Sequence, residues 1–132
     1  MRAPRGLTRL QLAVMQVLWR YDRASTAEIH QELQDRRTLA LTTVATLLSR
    51  LEKRGLVERS LARRPYVYRA RVREDEVRAM LTRDLLELVF RGDIVDLVDH
   101  LLQGPAVTPD DLERVRALLA VRERELEGGG GR

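Results

Sequence analysis

The sequence predicts a mainly α fold with a small β wing, and three observations carry that expectation. First, between Thr42 and Arg54 the apolar residues Val44, Leu47, Leu48 and Leu51 recur at i, i+3, i+4 and i+7, the spacing of one helical face. At about 100° per residue the opposite face collects Thr42, Thr46, Ser49, Arg50 and Lys53, with no acid among them. Second, Gly55 and Leu56 supply the left-handed stop and the apolar contact that end a helix. Two strand-like runs follow, Val57 to Leu61 and Tyr66 to Ala70, around the turn Ala62-Arg63-Arg64-Pro65. Third, residues 1–73 carry 16 Lys/Arg against 6 Asp/Glu, whereas residues 74–132 carry 8 against 14. A basic half and an acidic half suggest one part that meets nucleic acid and one that does something else. The expected architecture is a winged helix-turn-helix domain (1–73), a helical dimerisation region (74–127) and a flexible tail (128–132).

In chain order, Met1 to Gly6 reads as a loose arm. Thr8 and Gln11 form a capping box at the start of the first helix, with Leu7 placed to staple onto Leu12. That helix is expected to reach about Arg20 and to bury Leu12, Met15, Leu18 and Trp19. Trp19, at the end of an apolar stripe, is read as core rather than as a platform for a base. Ser25-Thr26-Ala27-Glu28 is a second capping box, opening a helix to about Gln34 with Ile29 and Leu33 inward. His30 has no neighbour at a metal-ligand spacing and is assigned to the surface or the rim of the core. Asp35-Arg36-Arg37 reads as a polar turn, and the polar-faced helix begins near Ala40 or Leu41. In the hairpin, Val57, Leu61 and one tyrosine should lie back on the helices, while Arg63 and Arg64 project from the tip towards phosphate or minor groove.

After Arg73 the pattern is wholly helical. Glu74-Asp75-Glu76 makes an acidic first turn, and Val77, Met80, Leu81, Leu85, Leu88 and Val89 follow at steps of three and four as far as Phe90. Gly92 interrupts, and Asp93 caps a segment with Ile94, Leu97, Val98, Leu101 and Leu102 on one face. Asp93, Asp96 and Asp99 on the other face are read as solvated acids rather than as metal ligands. Gly104-Pro105 ends that helix, and Thr108-Pro109 opens the last one, with Leu112, Val115, Leu118, Leu119 and Leu126. These helices are short and carry more leucine and valine than they can bury alone. Leu81, Leu85, Leu88, Val89, Leu97, Leu101, Leu112, Val115, Leu118 and Leu119 are therefore expected at a homodimer interface. A twofold dimer would hold two polar-faced helices about 34–36 Å apart, one turn of duplex DNA.

Bulk composition narrows the alternatives. Aromatics make up 4% of the chain, so aliphatic side chains must fill the core. There is no cysteine, which removes disulfides and thiolate metal sites. No signal-type apolar segment follows the basic start, and no run reaches about 18 apolar residues, so a cytoplasmic protein without membrane insertion is expected. The two histidines, His30 and His100, stand far apart, and no phosphate-cradling glycine loop or nucleophile elbow occurs. The expectation is a chain that is not an enzyme and takes neither cofactor nor metal.

Several stretches together resemble the penicillinase-repressor family of bacterial regulators, the BlaI/MecI/CopY group. They are Leu7-Thr8 leading to Val14-Met15-Gln16-Val17-Leu18-Trp19, then Thr42 to Leu51 with Lys53-Arg54-Gly55-Leu56-Val57, Arg64-Pro65-Tyr66-Val67-Tyr68, and Leu85-Leu86. The resemblance covers Leu7 to about Leu126. It implies a homodimeric winged-helix repressor that binds an inverted-repeat operator in double-stranded DNA through Thr42, Thr43, Thr46, Arg50, Arg64 and Tyr66. With the polar helix face and the wing tip, the candidate DNA-binding set is Thr42, Thr43, Thr46, Ser49, Arg50, Lys53, Arg63, Arg64 and Tyr66. The copper-responsive branch has a cysteine-rich tail, which this sequence lacks. The β-lactam-responsive branch implies a sensor protease as a further partner. The corresponding stretch here, Asp99-His100-Leu101-Leu102, has no asparagine-phenylalanine pair of the kind found in members cut there. A different class of function stays open at this point: a winged helix that contacts proteins without specific DNA binding.

Overall fold

The structure, a computed structural model, describes residues 7–34, 38–60 and 64–129. Its elements run α1 (Arg9–Tyr21), β1 (Ala24–Ser25), α2 (Thr26–Gln34), α3 (Leu41–Lys53), β2 (Val57–Arg59), β3 (Val67–Ala70), α4 (Glu74–Leu88), α5 (Ile94–Leu102) and α6 (Pro109–Gly129). The N-terminal arm, the turn at Asp35-Arg36-Arg37, and Leu61, Ala62 and Arg63 of the wing tip lie outside the described residues. The chain divides into two compact units, residues 1–84 and 85–132.

In the first unit the capping boxes form as the residue types dictate. Thr8 Oγ1 accepts the Gln11 N–H at 3.1 Å while Gln11 Oε1 accepts the Thr8 N–H at 3.0 Å. Ser25 and Glu28 repeat the exchange at 3.2 and 2.8 Å. The first box changes the expected core. Gln11, held against Thr8, is buried, whereas Leu12 is only half-buried. Trp19 is also half-buried, and its indole Nε1 donates to the Val72 carbonyl at 2.9 Å. This places the ring at the rim of the core, packed against it.

The core is drawn from three helices and the hairpin. Val14, Met15 and Leu18 of α1, Ile29 of α2, Val44, Leu48 and Leu51 of α3, and Leu56 and Val57 are all at most 1% exposed. Each helix contributes residues spaced three or four apart, so the buried faces meet and the remaining faces stay in water. The sheet has the order β1-β3-β2, antiparallel throughout. Val57 pairs with Ala70 and Arg59 with Tyr68, and on the other side of β3 Ala24 pairs with Tyr68. Both hairpin strands are shorter than expected, with β2 ending at Arg59 and β3 starting at Val67. Of the tyrosines, Tyr68 is the buried one and Tyr66 is half-buried.

In the second unit, Arg91 and Gly92 take φ of 51° and 82° and separate the end of α4 from α5. Asp93 Oδ1 accepts the Asp96 N–H at 3.0 Å as the α5 cap. Thr108 and Asp111 exchange hydrogen bonds of 3.0 and 3.1 Å at the start of α6, where Pro109 takes the first helical position. The last helix includes Gly128 and Gly129, two residues that the sequence assigned to the tail. Neither α5 nor α6 buries a single side chain within one chain.

Candidate nucleic-acid interface

Thr42, Thr46, Ser49, Arg50 and Lys53 lie on the exposed side of α3 while Val44, Leu47, Leu48 and Leu51 close its other side. Thr43 is half-buried, between the two faces. The Thr46 hydroxyl donates to the Thr42 carbonyl at 3.0 Å. Its proton is therefore committed, and towards a base the oxygen serves as an acceptor. Arg50 offers a planar donor fork suited to guanine O6 and N7, and Lys53 a point charge suited to phosphate. An open groove beside this surface runs between the start of α1 and α3, bordered by Thr8, Arg9, Gln11, Thr43, Thr46 and Arg50.

Both ends of α3 are held by neighbours. At its start, Ala40 provides no side-chain cap, but the adjoining Leu39 carbonyl accepts from Gln34 Nε2 at 2.8 Å, and His30 Nε2 lies at the same distance from that oxygen. His30 thus belongs to the brace between α2 and α3, a role its spacing in the sequence does not reveal. At its end, the Leu56 N–H reaches the Leu51 carbonyl and the Gly55 N–H reaches that of Glu52, each at 3.0 Å. With Gly55 at φ 77° this is a complete Schellman stop, and the side chains of Leu51 and Leu56 are both buried. The direction in which the chain enters the wing is set by these contacts.

In the wing, Arg64 is exposed and Tyr66 half-buried, while Arg63 falls outside the described residues. The Arg64 guanidinium lies 5.6 Å from the Tyr66 ring centroid, and that of Arg59 lies 4.7 Å from it. A hydrogen bond from Arg64 and the nearby positive charges hold the Tyr66 phenol below its ordinary range; the same bond raises Arg64. Arg59 also reaches back to α3, with its Nε 3.4 Å from Glu52 Oε2. Sequence reading did not single out Arg59 or Glu52, because only the folded hairpin brings them together.

The residues expected at a dimer interface are open to solvent in the single chain. Leu85, Leu88, Val89, Leu101, Leu112, Leu118 and Leu119 are exposed, and Leu81, Leu97 and Val115 are half-buried. Leu88, Val89 and Leu101 are each more than 60% exposed, an unusual state for side chains of this size. The three aspartates of α5 have separate structural roles: Asp93 caps the helix, Asp96 Oδ1 lies 3.2 Å from His100 Nδ1, and Asp99 accepts from Gln103 at 2.8 Å.

A three-helix core, a Schellman stop and an antiparallel hairpin with arginines beside its turn define a winged helix-turn-helix protein. The family model described as penicillinase repressor matches residues 7–121. The chain belongs to the penicillinase repressor family. Transcriptional regulator BlaI of Mycobacterium tuberculosis (strain CDC 1551 / Oshkosh) is 35% identical over 124 residues, covering 92% of this chain and 86% of that protein. Methicillin resistance regulatory protein MecI of Staphylococcus aureus (strain N315) is 26% identical over 106 residues, covering 80% and 86%. Among solved structures, the solution structure of the DNA binding domain of the repressor BlaI shares 29% identity. It covers 58% of this chain and 93% of its own, with a TM-score of 0.50.

Proposed function

We propose that this chain is a transcriptional repressor that binds an inverted-repeat operator as a homodimer. The observation that carries the reading is the division of α3 into a sealed apolar side and an exposed side of hydroxyls and cations. Thr42, Thr43, Thr46, Ser49 and Arg50 are assigned to the major groove, and Lys53, Arg63, Arg64 and Tyr66 to the flanking backbone. The basic balance of residues 1–73 supports this, since counterion release from phosphate supplies the sequence-independent part of such binding. The uncovered leucines and valines of the last three helices support a twofold partner of the same chain. No helix among the described residues is long and apolar enough to cross a membrane, in keeping with work on DNA in the cytoplasm. A sensor protease, if it acts at Asp99–Leu102, meets a stretch wound into α5 and would have to unwind it before cutting.

The direct test is selection of bound duplexes from a random library, followed by titration of the selected sequence over a range of salt. A twofold-symmetric consensus bound by two chains is expected, with affinity falling steeply as salt rises. Failure to enrich any sequence, with negligible affinity at low salt, would overturn the operator reading in favour of a protein-contact role.

A further inference from the structure

We infer that Glu52 and Arg59 are positioning residues which fix the wing against the recognition helix, and that Glu52 strengthens DNA binding despite its negative charge. The inference rests on the DNA-binding reading above and deepens it. Glu52 lies in the last turn of α3, a helix whose exposed residues are Leu41, Ala45 and otherwise hydroxyls and cations, with no acid. An acid so close to a polyanion should weaken binding on electrostatic grounds alone. Its geometry gives it another role. Glu52 Oε2 holds the Arg59 Nε at 3.4 Å, and the Arg59 guanidinium lies 4.7 Å from the Tyr66 ring centroid. The Arg64 guanidinium lies 5.6 Å from the same centroid. The series Glu52–Arg59–Tyr66–Arg64 therefore runs from the end of the helix, across β2, to the side chain beside the wing turn.

The first link restrains Arg59 from the helix side. Both Arg59 and Glu52 are about one-third exposed, so the pair adds little to overall stability. A guanidinium suits the joint because its edge can donate to a carboxylate while its plane lies near an aromatic ring, an arrangement an ammonium group cannot copy. With Arg59 held in place, Tyr66 is flanked by two cations and Arg64 keeps one direction. Released, Arg59 would turn to solvent and Arg64 would sample more rotamers, at an ordering cost on binding.

The sign of one substitution separates positioning from bulk charge. Glu52→Gln removes an acid and nearly preserves shape. A role in charge alone predicts tighter binding to every duplex. The positioning role predicts about threefold to fivefold weaker binding to the duplex selected by the wild-type chain. It also predicts a loss of similar size on a mixed-sequence duplex, because Arg64 is assigned to the sequence-independent backbone. Arg59→Lys, which keeps the charge, is expected to show the same loss. A second readout needs no DNA: the Arg59 side-chain protons should carry an upfield ring-current shift from Tyr66 in the NMR spectrum and lose it in Glu52→Gln. An unchanged shift, or tighter binding of the selected duplex, overturns the inference. The shift decides it even if the wild-type chain selects no sequence, the result that sinks the operator reading.

Discussion

Trp19 and Val72 are joined by a hydrogen bond of 2.9 Å from the indole Nε1 to the backbone carbonyl, across 53 positions of sequence. The bond ties the end of α1 to the segment leaving the wing. Trp19→Phe would keep much of the ring's packing and leave the carbonyl without this donor. A loss of about 1 kcal/mol of stability is expected, read as a lower urea midpoint with an unchanged slope.

Arg50 and Arg64 should fail in different ways. Arg50→Ala should cost about 1–3 kcal/mol on the selected duplex and relax preference at one base position, as removal of a base contact does. Arg64→Ala should weaken selected and mixed-sequence duplexes alike and lower the slope of log affinity against log salt by about one. Parallel titrations of both variants at several salt concentrations measure both effects.

Leu101 is 62% exposed on α5 and Leu119 is 58% exposed on α6. Replacing either with glutamate would bring a charge into a surface assigned to the partner chain, where an unpaired ion is strongly disfavoured. Sedimentation equilibrium should show the variants as monomers at concentrations where the parent chain is a dimer. Operator affinity should fall with them, since two linked half-sites gain from each other's local concentration.

His100 gives α5 a pH dependence. Its Nδ1 lies 3.0 Å from the Asp96 carbonyl, and this contact, with the charges of Asp96 and Asp99, raises it above the ordinary value of 6.5. A raised histidine stabilises the folded state fully below 6.5, and the contribution disappears as pH climbs through the higher folded value. The second unit should therefore be more resistant to urea near about pH 6 than near about pH 8. His100→Gln should remove that difference.

Much of the first unit was legible because its signals are local. The boxes Thr8/Gln11 and Ser25/Glu28 act over three residues, and Gly55 follows directly on the α3 face it terminates. The strand Ala24–Ser25 gave no such signal. Two residues cannot alternate, and they become a strand only because β3 offers Val67 and Tyr68 as partners. Leu12 was misplaced for a related reason: periodicity ranked it by hydropathy, but Gln11 is drawn into the interior by its bond to Thr8. At the interface, the residues on one helix face could be listed from spacing alone. The contact of Arg59 with both Glu52 and Tyr66 could not, because it depends on how the hairpin folds back on α3.

The bare apolar sides of α5 and α6 have a consequence for dosage on the homodimer reading. A segment that completes its fold only by pairing has a stability that rises and falls with the amount of protein present. Newly made chains at low copy number would be both poorly folded in this region and poorly seated on DNA, and open to proteolysis. Occupancy would then climb more steeply than protein level, so a modest drop in synthesis would be enough to empty the operator.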